Sequence, residues 1–293
     1  MRSVDDGAHP PSSVRFERRA ASENATPFGM GTYTALSLNL WNRFGPWEAR
    51  LVALRQGLVA LSPDIVGVQE LVVAKDLDQA AERCRGDYEV AFGPAYVEGD
   101  VEVGNGIFSR YPILEHTTFS LPSRDPGDRR VLLAARLATP WGPLPVFSTH
   151  LSWRLDEGHV REEQVRAVAE LVESYTPSRE GLSPLLMGDF NAEPDSDEIR
   201  FLRGLTALRG RSVYFVDAFG VRGRGDGTTF STRNPFAEPL REPERRIDYV
   251  FVRGHDDPKR HGDVLEARVV LDEPHEGVFP SDHFGVLATV RVR

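Results

Sequence analysis

The sequence is constrained most by the grouping of its apolar residues into short runs, many of which end on a polar side chain. Clusters drawn from 26 glycines and 21 prolines separate these runs. Within residues 33–41 apolar and polar side chains alternate, as in a strand with one buried face. Short runs divided by turn residues predict many β-strands and argue against a helical bundle or a disordered chain.

Two longer segments have apolar residues at helical spacing, and they predict helices over 47–61 and 157–175. Pro63 ends the first helix, which lies between two apolar runs and therefore forms a strand–helix–strand crossover. The predicted strands are 33–41, 65–69, 88–92, 104–109, 113–121, 130–137, 144–149, 185–187, 228–231, 247–252, 264–271 and 285–292.

These elements predict one domain over residues 32–293, built from two packed sheets with helices outside, after a loosely ordered tail over 1–31. No internal repeat interrupts this organisation. Residues 205–246 are rich in glycine, arginine and proline, so we expect long loops there with the single strand 228–231.

Composition narrows the class of function. The formal net charge of −9 disfavours a polyanion such as duplex DNA as the partner. Cys84 is the single cysteine, so a disulfide framework and a thiolate metal cluster are both excluded, and a reducing compartment is expected. No apolar run has signal-peptide or membrane-spanning length, so we expect a cytoplasmic protein without membrane insertion.

Polar residues recur directly after the predicted strands, where side chains of one sheet edge can converge on a ligand. Carboxylates and amides with few soft donors suit Mg²⁺ or Mn²⁺ better than Zn²⁺. The sequence lacks the common motifs of zincins, P-loop nucleotide triphosphatases and serine hydrolases. The strand-end residues are Asn39, Glu70, His150, Asp189, Asn191, Asp248, Asp282 and His283.

All eight residues stand in six short motifs, and the order of these motifs resembles the endonuclease/exonuclease/phosphatase superfamily from about residue 32 to the C-terminus. The resemblance implies a four-layered α/β/β/α sandwich, in which two mixed sheets pack together with helices on the outer faces. It also implies a divalent-metal-dependent phosphoesterase. The motifs are Asn39, Val68-Gln69-Glu70, Ser148-Thr149-His150-Leu151, Gly188-Asp189-Phe190-Asn191, Arg246-Ile247-Asp248-Tyr249 and Ser281-Asp282-His283.

The resemblance also implies a role for each residue. Glu70 would be the main ligand of Mg²⁺ or Mn²⁺, with Asn39 beside it, and Asp282 would complete or neighbour that coordination. Asp189 would orient and deprotonate the attacking water, and Asn191 would hydrogen-bond that water or a phosphoryl oxygen.

Two histidines complete the implied site. His283 would be oriented by Asp248 through a hydrogen bond that fixes its tautomer. His150 would contact the phosphate or assist the leaving group. Considered alone, Asn39 is better explained as a capping residue, and His150 as a core histidine whose hydrogen bonds are all made. The functional interpretation therefore depends on the motifs occurring together.

The substrate is open at this stage. A small phosphorylated metabolite or a lipid head group ranks above nucleic acid, and an endo- or exonuclease is the main alternative. A binding or scaffold protein that has lost turnover is the alternative from another class. Trp153 is a candidate for the cleft wall. Two arginine pairs, together with Arg222 and Arg224, are candidates to bind further phosphate groups. The simpler alternative is that these arginines form a solvated rim. The pairs are Arg129-Arg130 and Arg245-Arg246.

Overall fold

The computed structural model describes residues 31–74, 77–78, 87–125, 127–176, 181–254 and 262–292. The predicted tail therefore lies outside the described residues except for Gly31, and so does Cys84. The described helices are α1 (Trp47–Leu61), α2 (Gly158–Tyr175), α3 (Asp197–Leu202) and α4 (Ala218–Arg222), with a 3-10 turn at Glu238–Leu240. The strands are β1 (Gly31–Asn39), β2 (Ile65–Ala74), β3 (Leu77–Asp78), β4 (Glu89–Glu98), β5 (Val101–Ser109), β6 (Ile113–Ser120), β7 (Val131–Thr139), β8 (Gly142–His150), β9 (Leu185–Asp189), β10 (Phe215–Asp217), β11 (Asp248–Arg253), β12 (Asp263–Val270) and β13 (Gly285–Val292).

The strands form two mixed sheets, as predicted. The first has the order β12-β13-β1-β2-β5-β4, with β3 paired to β2, and the second has the order β10-β11-β9-β8-β7-β6. The crossover through α1 makes β1 and β2 parallel, and the crossover through α2 makes β8 and β9 parallel. Other described neighbours are antiparallel, so polar strand ends and strand starts from both sheets meet at one edge.

Alternation along each strand separates the core into layers. In β1, Tyr33 and Ala35 belong to the cluster between the sheets, whereas Leu36 and Leu38 face outward. The outward cluster of the first sheet is covered by α1, and the outward cluster of the second sheet is covered by α2. Helix, sheet, sheet and helix therefore stack as the predicted four-layered sandwich.

Two details differ from the sequence-based expectation. Glu70 does not end β2, because the strand continues to Ala74 after a register shift between Val68 and Leu71. Glu70 has φ of +55°, so a β-bulge turns its side chain out of the regular alternation. The predicted strand 228–231 was wrong: Phe230 makes only isolated bridges, one to Arg245 and one to His283.

The region predicted as loops over 205–246 contains more regular structure than expected. Strand β10, helix α4 and the 3-10 turn all lie there, and β10 pairs with β11 at the sheet edge. Helix α3 was not predicted either, since its six residues are too few to display a helical period. Among the described residues, no helix is long and apolar enough to cross a membrane.

Candidate active site

The predicted site residues lie at one end of the space between the sheets. In β9, Leu185 and Met187 belong to the inter-sheet core, and Asp189 follows at the same parity. In β8, Val146 belongs to that core and His150 follows at the same parity. Each strand therefore carries apolar side chains along its core-facing row and a polar one where the row meets solvent. The same rule places Asn39 at the end of β1 and Asp248 at the start of β11.

Asp189 is the centre of this arrangement. Its Oδ2 lies 3.0 Å from Nδ2 of Asn39, 3.4 Å from Nε2 of His150 and 3.8 Å from Nε2 of His283. Its Oδ1 accepts a hydrogen bond of 2.9 Å from the backbone N–H of Asn191. Burial alone would raise the pKa of Asp189, but the cationic His283 and the N–H donors of Asn39 and Asn191 hold it below the ordinary value. Asp189 is therefore a buried carboxylate that stays ionised.

Glu70 and Asp282 form an acidic wall of the site. Burial and the charge of Asp282 raise the pKa of Glu70 to about 7, although 24% of its side chain stays exposed. Burial likewise raises the pKa of Asp282. Nδ2 of Asn39 lies 3.3 Å from Oε1 of Glu70, so an amide joins this acidic wall to Asp189. Two carboxylates whose pKa values are both raised, with an amide beside them, fit a hard divalent cation that would neutralise them.

One group of three potential metal donors within 4.8 Å of one another occurs among the described residues, and it consists of Asp189, Asp248 and His283. Glu70 and Asp282 are not in this group. Burial alone would lower the pKa of His283, but Asp248, Asp282 and Asp189 raise it well above the ordinary value. A protonated imidazole cannot ligate a metal, so this group is less suited to a cation than Glu70 and Asp282 are.

His283 and Asp248 form the predicted pair. Nδ1 of His283 lies 2.9 Å from Oδ2 of Asp248, which is completely buried. This contact points Nε2 of His283 toward Asp189. The backbone N–H of Asp248 donates to Oγ1 of Thr229, and Phe230 packs its ring 5.0 Å from the imidazole. The pair is therefore fixed from several sides.

His150 has the opposite charge state from His283. Burial and the nearby Arg130 lower the pKa of His150 to about 3, so its imidazole is neutral at pH 7. Arg130 is held by Asp128, whose Oδ1 lies 2.7 Å from its Nε. Oδ2 of Asp128 accepts a hydrogen bond of 2.9 Å from Ser152, two residues after His150. Asp189 thus faces one cationic and one neutral imidazole.

The Gly188-Asp189-Phe190-Asn191 motif has a steric explanation. A Cβ at Gly188 would stand 2.3 Å from the carbonyl oxygen of Thr149 on β8, so only glycine fits this close strand approach. Asn191 takes φ of +49°, in the left-handed region that asparagine tolerates better than most residues. Its Nδ2 donates to the carbonyl of Leu151, and its side chain lines the cleft.

Arg50 fastens the acidic wall, and its role was not predicted. Its guanidinium donates to five backbone carbonyls and is 3% exposed. Four of these carbonyls lie in the segment after β1, and the fifth belongs to Pro280, two residues before Asp282. Ser281 adds a hydrogen bond of 2.6 Å to the carbonyl of Asn39. A signal was present, because Arg50 stands at helical spacing with the buried Leu54 and Leu58.

The site opens into a cleft of about 1080 Å³ that all eight predicted residues except Asp248 line. Trp153 lines it, as expected. Of the arginine candidates, Arg129, Arg130 and Arg245 line the cleft, and the last two are paired with Asp128 and Glu242. Arg246 instead binds Asp217 through two hydrogen bonds, and Arg222 donates to the carbonyl of Val264. Arg222, Arg224 and Arg246 are not among the cleft residues.

Comparisons with known proteins agree with the fold. TDP2 from Danio rerio, solved with a single-strand DNA product, is 19% identical with a TM-score of 0.70, over 88% of this chain and 98% of that one. Truncated TDP2 from Caenorhabditis elegans is 17% identical with a TM-score of 0.69, over 88% and 97%. A family protein from Bacteroides thetaiotaomicron is 22% identical with a TM-score of 0.69, over 91% and 97%.

These identities show a shared fold, and a search of curated proteins gives no match. The model of the Endonuclease/Exonuclease/phosphatase family, whose members hydrolyse phosphoester bonds, matches residues 36–283. Because this family model matches most of the chain, and the fold described above agrees with it, this protein belongs to the Endonuclease/Exonuclease/phosphatase family.

Proposed function

We propose that this protein hydrolyses a phosphate ester with a water molecule activated by Asp189 and with the help of Mg²⁺ or Mn²⁺. The observation that carries the proposal is the surrounding of Oδ2 of Asp189 by Asn39, His150 and His283 within 3.8 Å. A buried carboxylate that stays ionised and lines a cleft is suited to accept a proton from water.

The side chains divide the work between nucleophile and transition state. Asp189 orients the water and takes its proton while the water oxygen attacks phosphorus and the ester P–O bond breaks. His283 is protonated and held by Asp248, so its Nε2–H donates to a phosphoryl oxygen as negative charge develops. His150 is neutral and offers an uncharged N–H to the phosphate or the leaving oxygen. Asn191 adds an amide hydrogen bond from the cleft wall.

Glu70, Asn39 and Asp282 are the residues that would hold the cation. The bound cation would screen the charge of the phosphate and polarise its bridging oxygen. Arg50 and Ser281 keep this wall in place before any ligand arrives, because they fasten the segment after β1 to the segment before β13.

For the substrate, a small phosphorylated metabolite or lipid head group remains our first choice over nucleic acid. The net charge of −9 opposes a long polyanion, and two of the three cleft arginines are neutralised by acidic partners. Nucleic acid is the second candidate, since the Danio rerio TDP2 of similar fold was solved with a single-strand DNA product. The scaffold alternative would require a disabled site, and each predicted position here keeps a functional side chain.

The test is hydrolysis of a phosphate monoester, a phosphate diester, a single-stranded oligonucleotide and plasmid, each in Mg²⁺, in Mn²⁺ and in EDTA. Asp189→Asn is expected to lower the rate by at least about 10²-fold, because the amide cannot accept the proton. Asp197→Asn is the matched control, since Asp197 is an exposed carboxylate on α3. Full activity in EDTA or in Asp189→Asn would contradict the mechanism, and inactivity on every substrate would favour the scaffold alternative.

A further inference from the structure

The cleft beside the phosphate site exposes large apolar side chains. Phe44 is 54% exposed and Trp153 is 55% exposed, and both line the cleft together with the exposed Val97 and Leu240. Phe44 follows β1 of the first sheet, and Trp153 follows β8 of the second. Each sheet therefore contributes one exposed aromatic side chain to the cleft. Phe44 stands five residues after Asn39, and Trp153 stands three residues after His150. Exposed aromatic side chains on the wall of a cleft offer apolar surface that a ligand can cover.

The segment that carries Phe44 is held in an unfavourable backbone conformation. Trp41 and Asn42 are consecutive residues with φ of +55° and +46°, in the left-handed region that side chains with a Cβ rarely adopt. The guanidinium of Arg50 donates to carbonyls of Trp41, Asn42 and Phe44, and so fixes this path.

The aromatic surface of this segment is rigid as well as exposed. The ring of Trp41 stacks on Phe236 at a centroid distance of 5.0 Å, and the guanidinium of Arg50 lies 4.8 Å from its centroid. Phe44 packs against this supported ring at 6.1 Å and leaves the rest of its own ring open to the cleft. On the opposite side, Arg154 lies 5.7 Å over the ring of Trp153. Rigid aromatic side chains bind planar rings with little loss of conformational entropy.

We propose that the cleft has an aromatic subsite, formed by Phe44 and Trp153, which binds a planar ring on the alcohol part of the phosphate ester. This inference rests on the proposed function and narrows its substrate to esters whose alcohol carries a planar ring. The polar centre takes the phosphate, and the flanking aromatic side chains take the ring. A saturated chain would gain the apolar contact and lose the stacking.

The test uses three esters with alcohols of similar acidity: ethyl, 2-phenylethyl and 2-cyclohexylethyl phosphate, as monoesters and as methyl diesters. The phenyl and cyclohexyl rings have similar size, and only the phenyl ring is planar. We expect kcat/KM for the phenylethyl ester to exceed that of both others by about tenfold or more, on the strength of aromatic stacking in other proteins. Phe44→Ser and Trp153→Ser should each reduce this ratio toward one. Tyr214→Ser is the matched control, because Tyr214 is 57% exposed and lies outside the cleft residues, and it should keep the ratio.

Equal rates for the phenyl and cyclohexyl esters would overturn the proposal in favour of a general apolar or lipid site. Equal rates for all three esters would overturn it altogether and would leave phosphoester hydrolysis intact. If no ester is hydrolysed, calorimetric binding of the same esters to the metal-loaded Asp189→Asn protein decides. The subsite is supported if the phenylethyl ester binds about tenfold more tightly than the other two esters and if this difference is lost when Phe44→Ser is added to Asp189→Asn. Equal binding of the three esters refutes it.

Discussion

Glu70→Gln is the substitution that best separates the stability of this site from its chemistry. In metal-free protein, burial and Asp282 raise the pKa of Glu70 from 4.5 to about 7. The folded state therefore binds a proton that the unfolded state has released above pH 4.5, and the stability contributed by Glu70 falls as the pH rises from about 4.5 to about 7. Glutamine removes the charge and keeps an oxygen that can accept the hydrogen bond from Asn39.

The magnitude follows from the two pKa values. With 4.5 in the unfolded chain and about 7 in the folded protein, the ionised Glu70 costs about 3 kcal/mol of unfolding free energy at pH 8 and about 1 kcal/mol at pH 5.5. The carboxyl group is partly exposed, so these figures are upper values. We therefore expect Glu70→Gln to be more stable than the native sequence in EDTA at pH 8, with a gain of up to about 3 kcal/mol that shrinks at pH 5.5.

The assay is equilibrium denaturation with urea in EDTA at pH 5.5 and pH 8, repeated with Mg²⁺. Added Mg²⁺ should stabilise the native sequence more at pH 8 than at pH 5.5, because the cation binds the carboxylate and competes with its proton. Glu70→Gln should lose most of the response to Mg²⁺ and most of its phosphoester hydrolysis. A variant that is less stable than the native sequence at pH 8 in EDTA would refute the electrostatic reasoning.

Three further substitutions test how the site is held. Asp248→Asn should lower the pKa of His283 and move the alkaline fall of the kcat/KM profile to lower pH, with a rate loss of about 10²-fold or more in steady-state assays; an unchanged profile would contradict the pairing. Arg50→Met should reduce the unfolding free energy by about 2–4 kcal/mol in urea, because several buried carbonyls lose their donor; a loss below about 0.5 kcal/mol would show that the carbonyls find other partners. Gly188→Ala should lower both stability and activity, since its Cβ meets the carbonyl of Thr149, and a normal melting temperature would show that the strands can move apart.

The layered fold was predictable because successive side chains of a strand point to opposite faces of the sheet. The alternation of apolar and polar residues therefore shows which face is buried. In β9, Leu185 and Met187 mark the core-facing row, and Asp189 continues that row to the point where the inter-sheet space opens. The same reading applies to His150 and Asn39. A polar residue on a core-facing row is expensive unless it has partners, and several such residues can be satisfied together only if they meet. Their convergence followed from the physical chemistry of burial as well as from the family motifs.

The remaining details depended on interactions that sequence spacing does not encode. The bulge at Glu70 is a choice of register between β2 and β5, and nothing local to residues 65–74 specifies it. The five acceptors of Arg50 come from residues 40–44 and from Pro280, which are distant in the chain. The segment 228–231 resembled a strand because its residues favour extended backbone, but Phe230 bridges two different neighbours by single residues. Tertiary contacts determined each of these outcomes.

The two histidines give the final prediction, because their charge states differ on opposite sides of Asp189. A pKa of about 3 leaves His150 neutral throughout the working pH range, so His150→Gln replaces one neutral N–H donor with another. The pKa of His283 is raised well above 6.5, so His283→Gln removes a cation that faces developing negative charge. We therefore expect His283→Gln to lose at least about tenfold more of kcat than His150→Gln. His150→Gln should also leave the acid limb of the pH profile in place, since His150 does not titrate there. Equal losses, or an acid limb that disappears in His150→Gln, would mean that His150 is protonated in the working enzyme and that Arg130 does not control its charge.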